Sequence, residues 1–114
     1  MHRNSKIYVA GHKGMVGSAI VRELERKGYT NIIKRTHSEL DLMRQADVEA
    51  FFESEKPEYV FVPAGKVGGI SANSQALADF MYVNMMIEMN VIHSAFVNGC
   101  KKLEFLGSSC IYPR

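Results

Sequence analysis

The sequence predicts an α/β domain: a doubly wound parallel sheet with helices on both faces. Three observations lead there. The apolar run Ile7-Tyr8-Val9-Ala10 passes straight into the glycine-rich segment Gly11-His12-Lys13-Gly14-Met15-Val16-Gly17, and a helical pattern follows. A second run, Tyr59-Val60-Phe61-Val62, is apolar without alternation, as in a strand covered on both faces. Between and beyond these runs, strand-like and helix-like stretches alternate. That alternation implies parallel pairing with right-handed crossovers.

In chain order, the first strand is expected over about Lys6 to Ala10. The first helix follows from about Met15 to Lys27, with Met15, Ala19, Ile20 and Leu24 at helical spacing and Gly28 as its C-terminal stop. The pair Ile32-Ile33 marks a second strand over about Asn31 to Arg35. Ser38 to Leu42 is expected to hold a very short third strand. A helix over Arg44 to Glu55 puts Val48, Phe51 and Phe52 on one face, with Asp41 or a neighbour as its cap. Lys56-Pro57-Glu58 breaks the chain before the Tyr59 strand. A glycine-rich loop covers Gly65 to Asn73. A long helix then runs from about Ala76 to Asn98 and stops at Gly99, and Leu103 to Leu106 is the last strand.

Met81, Met85 and Met89 recur every four residues and so share one stripe, a pattern that usually faces a core. The same helix carries Phe80, Ile87, Val91, Ile92, Ala95 and Phe96, more apolar surface than one sheet face needs. A partner helix is therefore expected. His93, inside this helix, reads as a surface or core histidine.

Composition narrows the function classes. The chain has 114 residues, enough for one small domain with its own core. Apolar residues make up 46% and charged residues 23%, ordinary for a globular domain. A net charge of +2, with only Lys101-Lys102 adjacent, gives no basic stripe for nucleic acid. No apolar run reaches the length of a membrane span, and the first residues lack the apolar segment of a signal peptide. Cys100 and Cys110 suggest a reducing, cytoplasmic setting rather than a disulfide scaffold. Neither they nor His2, His12, His37 and His93 have zinc-ligand spacing, so no metal is expected.

The candidate chemistry gathers at strand ends, where open parallel sheets bind ligands. In Gly11–Gly17 one glycine permits a tight turn, one lets backbone approach a pyrophosphate, and one lets the helix pack on its strand. The helix N-terminus then offers N–H groups and a positive dipole end to an anion. The spacing G-x-x-G-x-x-G also suits a simple loop, but its place between strand and helix favours a dinucleotide. Arg35 stands where an acidic residue would bind the ribose hydroxyls and an arginine would accept a 2′-phosphate. With Lys13 and His37 it argues for NADP over NAD; the alternative is a solvated loop arginine. Lys66 lacks the spacing of a Walker loop and is expected to line the cleft. Ser108 can hydrogen-bond a substrate carbonyl, and Cys110 can act as a base if its pKa is lowered. The alternative is a turn with a structural cysteine.

These segments, with Arg35 to Leu42, Lys66 to Ile70, Ala78 to Phe80, Asn84 to Glu88, Asn90 to His93 and Phe105 to Pro113, resemble the extended short-chain dehydrogenase/reductases. Within that family they are most similar to the epimerase-reductases of GDP-linked 4-keto-6-deoxy sugars. The resemblance implies a Rossmann domain, NADP as cofactor, a GDP-sugar substrate, and a homodimer through the helix around Ala76 to Asn98. It gives the pyrophosphate to Gly11, Gly14 and Gly17, with His12, Lys13, Met15, Val16 and His37 among the cofactor-binding residues. The 2′-phosphate falls to Arg35, and the adenine to Asp41 and Leu42. Ala64, Gly65, Lys66, Leu106 and Gly107 would line the cofactor cleft. Ser108 would bind the 4-keto oxygen, and Cys110 would be the epimerisation base.

Two departures matter. Pro63 and Gly65 replace alanines. No Tyr-x-x-x-Lys pair occurs in these residues. The expectation is therefore an N-terminal portion of the Rossmann domain, residues 1–114, cut after the serine strand, without the substrate domain and inactive alone. The alternatives are another sugar-nucleotide epimerase or dehydratase that keeps NAD, which Arg35 opposes, and a non-catalytic nucleotide-binding or interaction module.

Overall fold

Hydrophobic alternation along one strand organises the molecule. A computed structural model describes residues 1–63 and 74–106. In strand β1 (Ile7–Val9), Ile7 and Val9 point to one face of the sheet, and Tyr8 to the other, with Ala10 just beyond the strand on the same side as Tyr8. Helix α1 (Met15–Arg26) covers the first face through Val21 and Leu24. Helices α2 (Gln45–Glu55) and α3 (Ser74–Val97) cover the second through Val48, Phe51, Phe52, Val91 and Ala95. Strand β3 (Tyr59–Pro63) repeats the device: Val60 and Val62 face α2 and α3, while Tyr59 and Phe61 pack toward α1. The sheet is thus wound on both sides, as expected.

The four strands are parallel in the order β2-β1-β3-β4, with β2 at Ile32–Ile33 and β4 at Lys102–Leu106. Strand β1 is buried on both faces, and β3 is buried on one face and partly covered on the other, which is why their sequences read as unbroken apolar runs. Tyr8, Phe51 and Phe52 interlock at ring distances of 4.7 to 6.0 Å, with Phe51 and Phe52 edge to face. Helix α1 ends as the sequence indicates. Gly28 N–H bonds to Glu25 O and Tyr29 N–H to Leu24 O, a Schellman arrangement around Gly28. Cys100 N–H bonds to Ala95 O in the same way after α3.

Three expectations fail. Ser38 to Leu42 is not a strand: residues 37–39 turn and residues 42–43 turn again. The Glu39 and Leu40 N–H groups bond back to the Thr36 carbonyl at 3.0 and 2.9 Å, so the chain turns there and no ladder forms. Nor does Asp41 cap α2. The cap position is Arg44, without a side-chain cap bond, and Asp41 Oδ1 instead accepts the Met43 N–H at 3.0 Å. The Met81, Met85, Met89 stripe also differs from a core stripe. These side chains are about half exposed, whereas Asn90, Val91, Ser94 and Ala95 make the buried face of α3. The expected loop from Gly65 to Asn73 and the segment Gly107 to Cys110 lie outside the described residues.

Candidate functional site

Because all four strands run the same way, their carboxyl ends share one edge. Val9, Ile33, Pro63 and Leu106 close β1, β2, β3 and β4 there. Since β1 pairs with β2 on one side and β3 on the other, the loops leaving them are neighbours. Of the predicted site residues, Gly11 to Gly17 and Arg35 to Leu42 are described and brought to this edge. Ala64, Gly65, Lys66, Gly107, Ser108 and Cys110 lie outside the described residues.

The glycine loop has the geometry that its spacing implied. Gly11 adopts φ +65°, a left-handed conformation that side chains disfavour. Its carbonyl accepts the Gly14 N–H at 3.0 Å, which closes the turn. A Cβ on Gly17 would sit 2.0 Å from the Gly11 carbonyl oxygen, so only glycine lets α1 approach the loop this closely. Gly14 caps α1 in extended backbone, and no side chain caps the helix. The first turn carries no acidic residue. Its N–H groups and the exposed Lys13 thus present positive potential at the strand-end edge. His12 is half-buried, and its Nδ1 is enclosed with no hydrogen-bond partner. An uncapped helix start, an exposed cation and an unclaimed imidazole nitrogen suit an anionic dinucleotide.

The loop after β2 is shaped by side chains. Thr36 N–H donates to Glu39 Oε1 at 2.7 Å, and Glu39 N–H donates to Thr36 Oγ1 at 3.3 Å. This is the reciprocal pattern of a capping box around one turn. The backbone bond from Thr36 holds the Glu39 carboxyl below the usual range, with smaller help from Arg35 and His12. Glu39 therefore lies within electrostatic reach of both loops. His37 is exposed on the turn. Leu42 packs against the core beneath Asp41.

Strand β2 ends at Ile33 rather than at Arg35 as expected, so Arg35 lies two residues beyond it, and its guanidinium turns onto α2. Nη2 pairs with Glu55 Oε2 at 3.2 Å, Nη1 donates to the Lys34 carbonyl at 3.0 Å, and Cζ lies 5.3 Å from the Phe51 ring centre. Glu55 holds Lys6 with its other oxygen, also at 3.2 Å. Burial pushes the Tyr8 phenol well up, against the opposing pull of Arg35, so Tyr8 stays neutral beneath this pair. Lys13 and His37, by contrast, carry no such partner in the bonds described. Sequence reading missed Glu39, Glu55 and Asn90. Thr36-x-x-Glu39 carried a readable capping spacing, whereas Glu55 and Asn90 act at long range and left no local signal.

A groove of about 600 Å³ lies between α2 and α3, lined by Gln45, Glu49, Met89, Asn90, His93 and Phe96 among others. None of its walls comes from the glycine loop. Among the described residues no helix is long and apolar enough to cross a membrane.

Comparison with known proteins adds to this geometry. The chain is 62% identical over 112 residues to GDP-L-fucose synthase 1 of Arabidopsis thaliana, covering 98% of this chain and 35% of that protein. It is 53% identical over 109 residues to the GDP-L-fucose synthase of Escherichia coli K12, covering 96% and 34%. Among solved structures it is similar to a GDP-mannoheptose C4 reductase from Campylobacter jejuni with NADP bound, at 50% identity and a TM-score of 0.87, covering 99% and 36%. The chain thus spans about a third of the length of the relatives it matches. Residues 7–114 match the NAD dependent epimerase/dehydratase family, and the chain belongs to that family.

Proposed function

We propose that this chain is the cofactor-binding portion of an NADP-dependent epimerase-reductase that converts GDP-4-keto-6-deoxy-D-mannose to GDP-L-fucose. The observation that carries the reading is the likeness to GDP-L-fucose synthases of a plant and a bacterium, at 62% and 53% identity over nearly all of this chain.

Roles in the glycine loop and the loop after β2 are supported by their place at the strand-end edge, and those of residues 64–66 and 106–110 by the resemblance alone. Gly11, Gly14 and Gly17, with the first-turn N–H groups of α1, hold the pyrophosphate, and His12, Met15 and Val16 border it. Lys13 and His37 meet the 2′-phosphate, with Arg35 adding charge from behind its Glu55 pair. Asp41 and Leu42 flank the adenine. The resemblance assigns Ala64, Gly65, Lys66, Leu106 and Gly107 to the cofactor cleft. When bound, NADPH supplies the hydride for C4. Ser108 donates a hydrogen bond to the 4-keto oxygen, which acidifies the protons at C3 and C5. Cys110 as thiolate removes such a proton and becomes the thiol, and inversion then needs a second acid, not among the residues assigned here, to protonate the opposite face of the enolate. Protonation of O4 needs a further general acid, since no Tyr-x-x-x-Lys pair occurs in these 114 residues.

The reading includes a homodimer through α3, where Met85, Met89 and Phe96 are 55%, 60% and 82% exposed. It also places the enzyme in the cytoplasm, in keeping with the free thiol of Cys100. Sedimentation at high micromolar concentration tests the dimer, and a clean monomer would count against it.

A second reading is reduction at C4 of a GDP-linked heptose, favoured by the 50% identity to the Campylobacter jejuni reductase. One assay separates the two. NADPH oxidation is followed with GDP-4-keto-6-deoxy-D-mannose and with a GDP-4-keto-heptose, on the protein at its natural length. Turnover of the six-carbon sugar to GDP-L-fucose supports the first reading; turnover of the heptose alone replaces it.

A further inference from the structure

We propose that Asn90, in the middle of α3, is a positioning residue that sets the adenine end of the cofactor site. The proposal rests on the dinucleotide reading above. Asn90 is 8% exposed, and its Nδ2 donates to the Leu42 carbonyl oxygen at 2.9 Å, across 48 residues of chain. Neither the helix nor the core calls for an amide here. Asparagine is a poor helix former, and burying a carboxamide costs free energy that an apolar side chain would not. Its neighbours on the buried face, Ile87, Val91, Ser94 and Ala95, are apolar or small.

The loop supplies the reason. Asp41 Oδ1 accepts the Met43 N–H, and Arg44 N–H bonds to the Asp41 carbonyl, each at 3.0 Å. These bonds shape the turn but do not fix where it sits relative to the sheet. Residues 38–42 form no strand, so no ladder bond fixes it either. Leu40 and Leu42 enter the core, which sets the depth of the loop. Apolar packing is weakly directional, and the Asn90 bond adds the missing direction. It pins the peptide between the two residues assigned to the adenine and the start of α2. The amide therefore acts on the cofactor through Leu42, without touching it.

The test uses two probes on the protein at its natural length: adenosine 2′,5′-bisphosphate, which needs the adenine loop, and inorganic pyrophosphate, which needs only the glycine loop. Asn90→Leu keeps the size and removes the donor. The expected result is a fall of about tenfold in affinity for the bisphosphate, the loss of one buried hydrogen bond, with pyrophosphate affinity unchanged. Equal losses for both probes would reduce Asn90 to a general structural role and overturn the proposal, as would an unchanged bisphosphate affinity. Should the variant not fold, the Asn90 side-chain amide is followed by NMR in the wild-type protein. Its resonance should shift and its exchange slow with the bisphosphate and not with pyrophosphate; no selective response overturns the proposal. A wild-type protein that ignores the bisphosphate overturns the dinucleotide reading itself, and this proposal with it.

Discussion

Two loops leave neighbouring strands at one edge of the sheet, residues 10–14 after β1 and residues 34–44 after β2. The first is shaped by missing side chains. Gly11 turns at φ +65°, and Gly17 leaves room for the Gly11 carbonyl. The second is shaped by side chains that are present: Thr36 and Glu39 on each other, Asp41 on Met43, and Asn90 on Leu42. On the proposed dinucleotide reading, the difference separates two ways of building a nucleotide-binding edge. A loop that must bring backbone against a phosphate cannot carry side chains at the point of approach. A loop that must read one end of a nucleotide needs them. Substitutions should therefore act in opposite senses: adding atoms damages the first loop, and removing them damages the second.

The largest effect is expected at Gly17. A methyl group there meets backbone at 2.0 Å, and a backbone carbonyl cannot move aside as a flexible side chain can. Gly17→Ala should cost roughly 3–5 kcal/mol, above the usual overpacking range of about 1–3 kcal/mol, and should abolish pyrophosphate binding. Thermal denaturation with a pyrophosphate titration measures both. A stable variant with normal binding would show that α1 does not need this approach.

The next effect sharpens the contrast within the cations. Lys13→Ala should lower NADP affinity relative to NAD by between about tenfold and a hundredfold, since a charge-assisted bond contributes about 1.5–3 kcal/mol. Arg35→Ala should also weaken NADP while sparing NAD, but it should lower the melting temperature as well. It leaves Glu55 with only Lys6 and uncovers Phe51. Paired titrations with the two cofactors, run beside thermal melts, separate the cases. Equal loss for NADP and NAD in both variants would sink the 2′-phosphate assignment.

What could be read from the sequence follows the same division. The strand, glycine loop and α1 were legible, because apolar periodicity and glycine spacing are local signals. Gly28 and Gly99 gave both helix ends for the same reason. The loop after β2 was not, because its conformation depends on partners far along the chain. Leu42 answers to Asn90, and Arg35 answers to Glu55 twenty residues on. The alternating Leu40 and Leu42 in Ser38 to Leu42 suggested a strand, yet the Glu39 and Leu40 N–H groups turn back onto the Thr36 carbonyl, and the Thr36–Glu39 side chains reinforce that turn. The methionine stripe misled in another way. Four-residue spacing states that side chains share a face and does not state which face is covered. Within the candidate site the glycine loop was therefore placed correctly, while the side that Arg35 faces was not foreseeable.

A smaller loss is expected at Gly11. Gly11→Ala meets no atom within 4 Å, so its cost is conformational alone. A left-handed residue with a Cβ costs about 1–2 kcal/mol. The melting temperature should fall while pyrophosphate binding persists at lower temperature, unlike the result at Gly17. If the two alanine variants behaved alike, conformation rather than close approach would govern the whole loop.

The smallest effect, and the one that touches both loops, is the acid sensitivity of the Thr36–Glu39 turn. The Thr36 N–H favours the ionised Glu39, whose folded pKa is therefore depressed. A depressed carboxylate contributes stability above its unfolded pKa and loses it as pH falls through the folded value. The turn should thus stay closed through neutral and mildly acidic pH and open only in stronger acid. Glu39 is exposed, so the global melting temperature should barely respond. The local reporter is the Thr36 amide resonance. In the wild type its inflection should fall below the ordinary glutamate value of 4.5. Glu39→Gln keeps an acceptor oxygen without the charge and should remove the inflection while leaving the turn in place. An inflection at or above the ordinary value would mean that the bond from Thr36 does not hold Glu39. The second loop would then owe its shape to its backbone turn bonds together with Asp41 and Asn90.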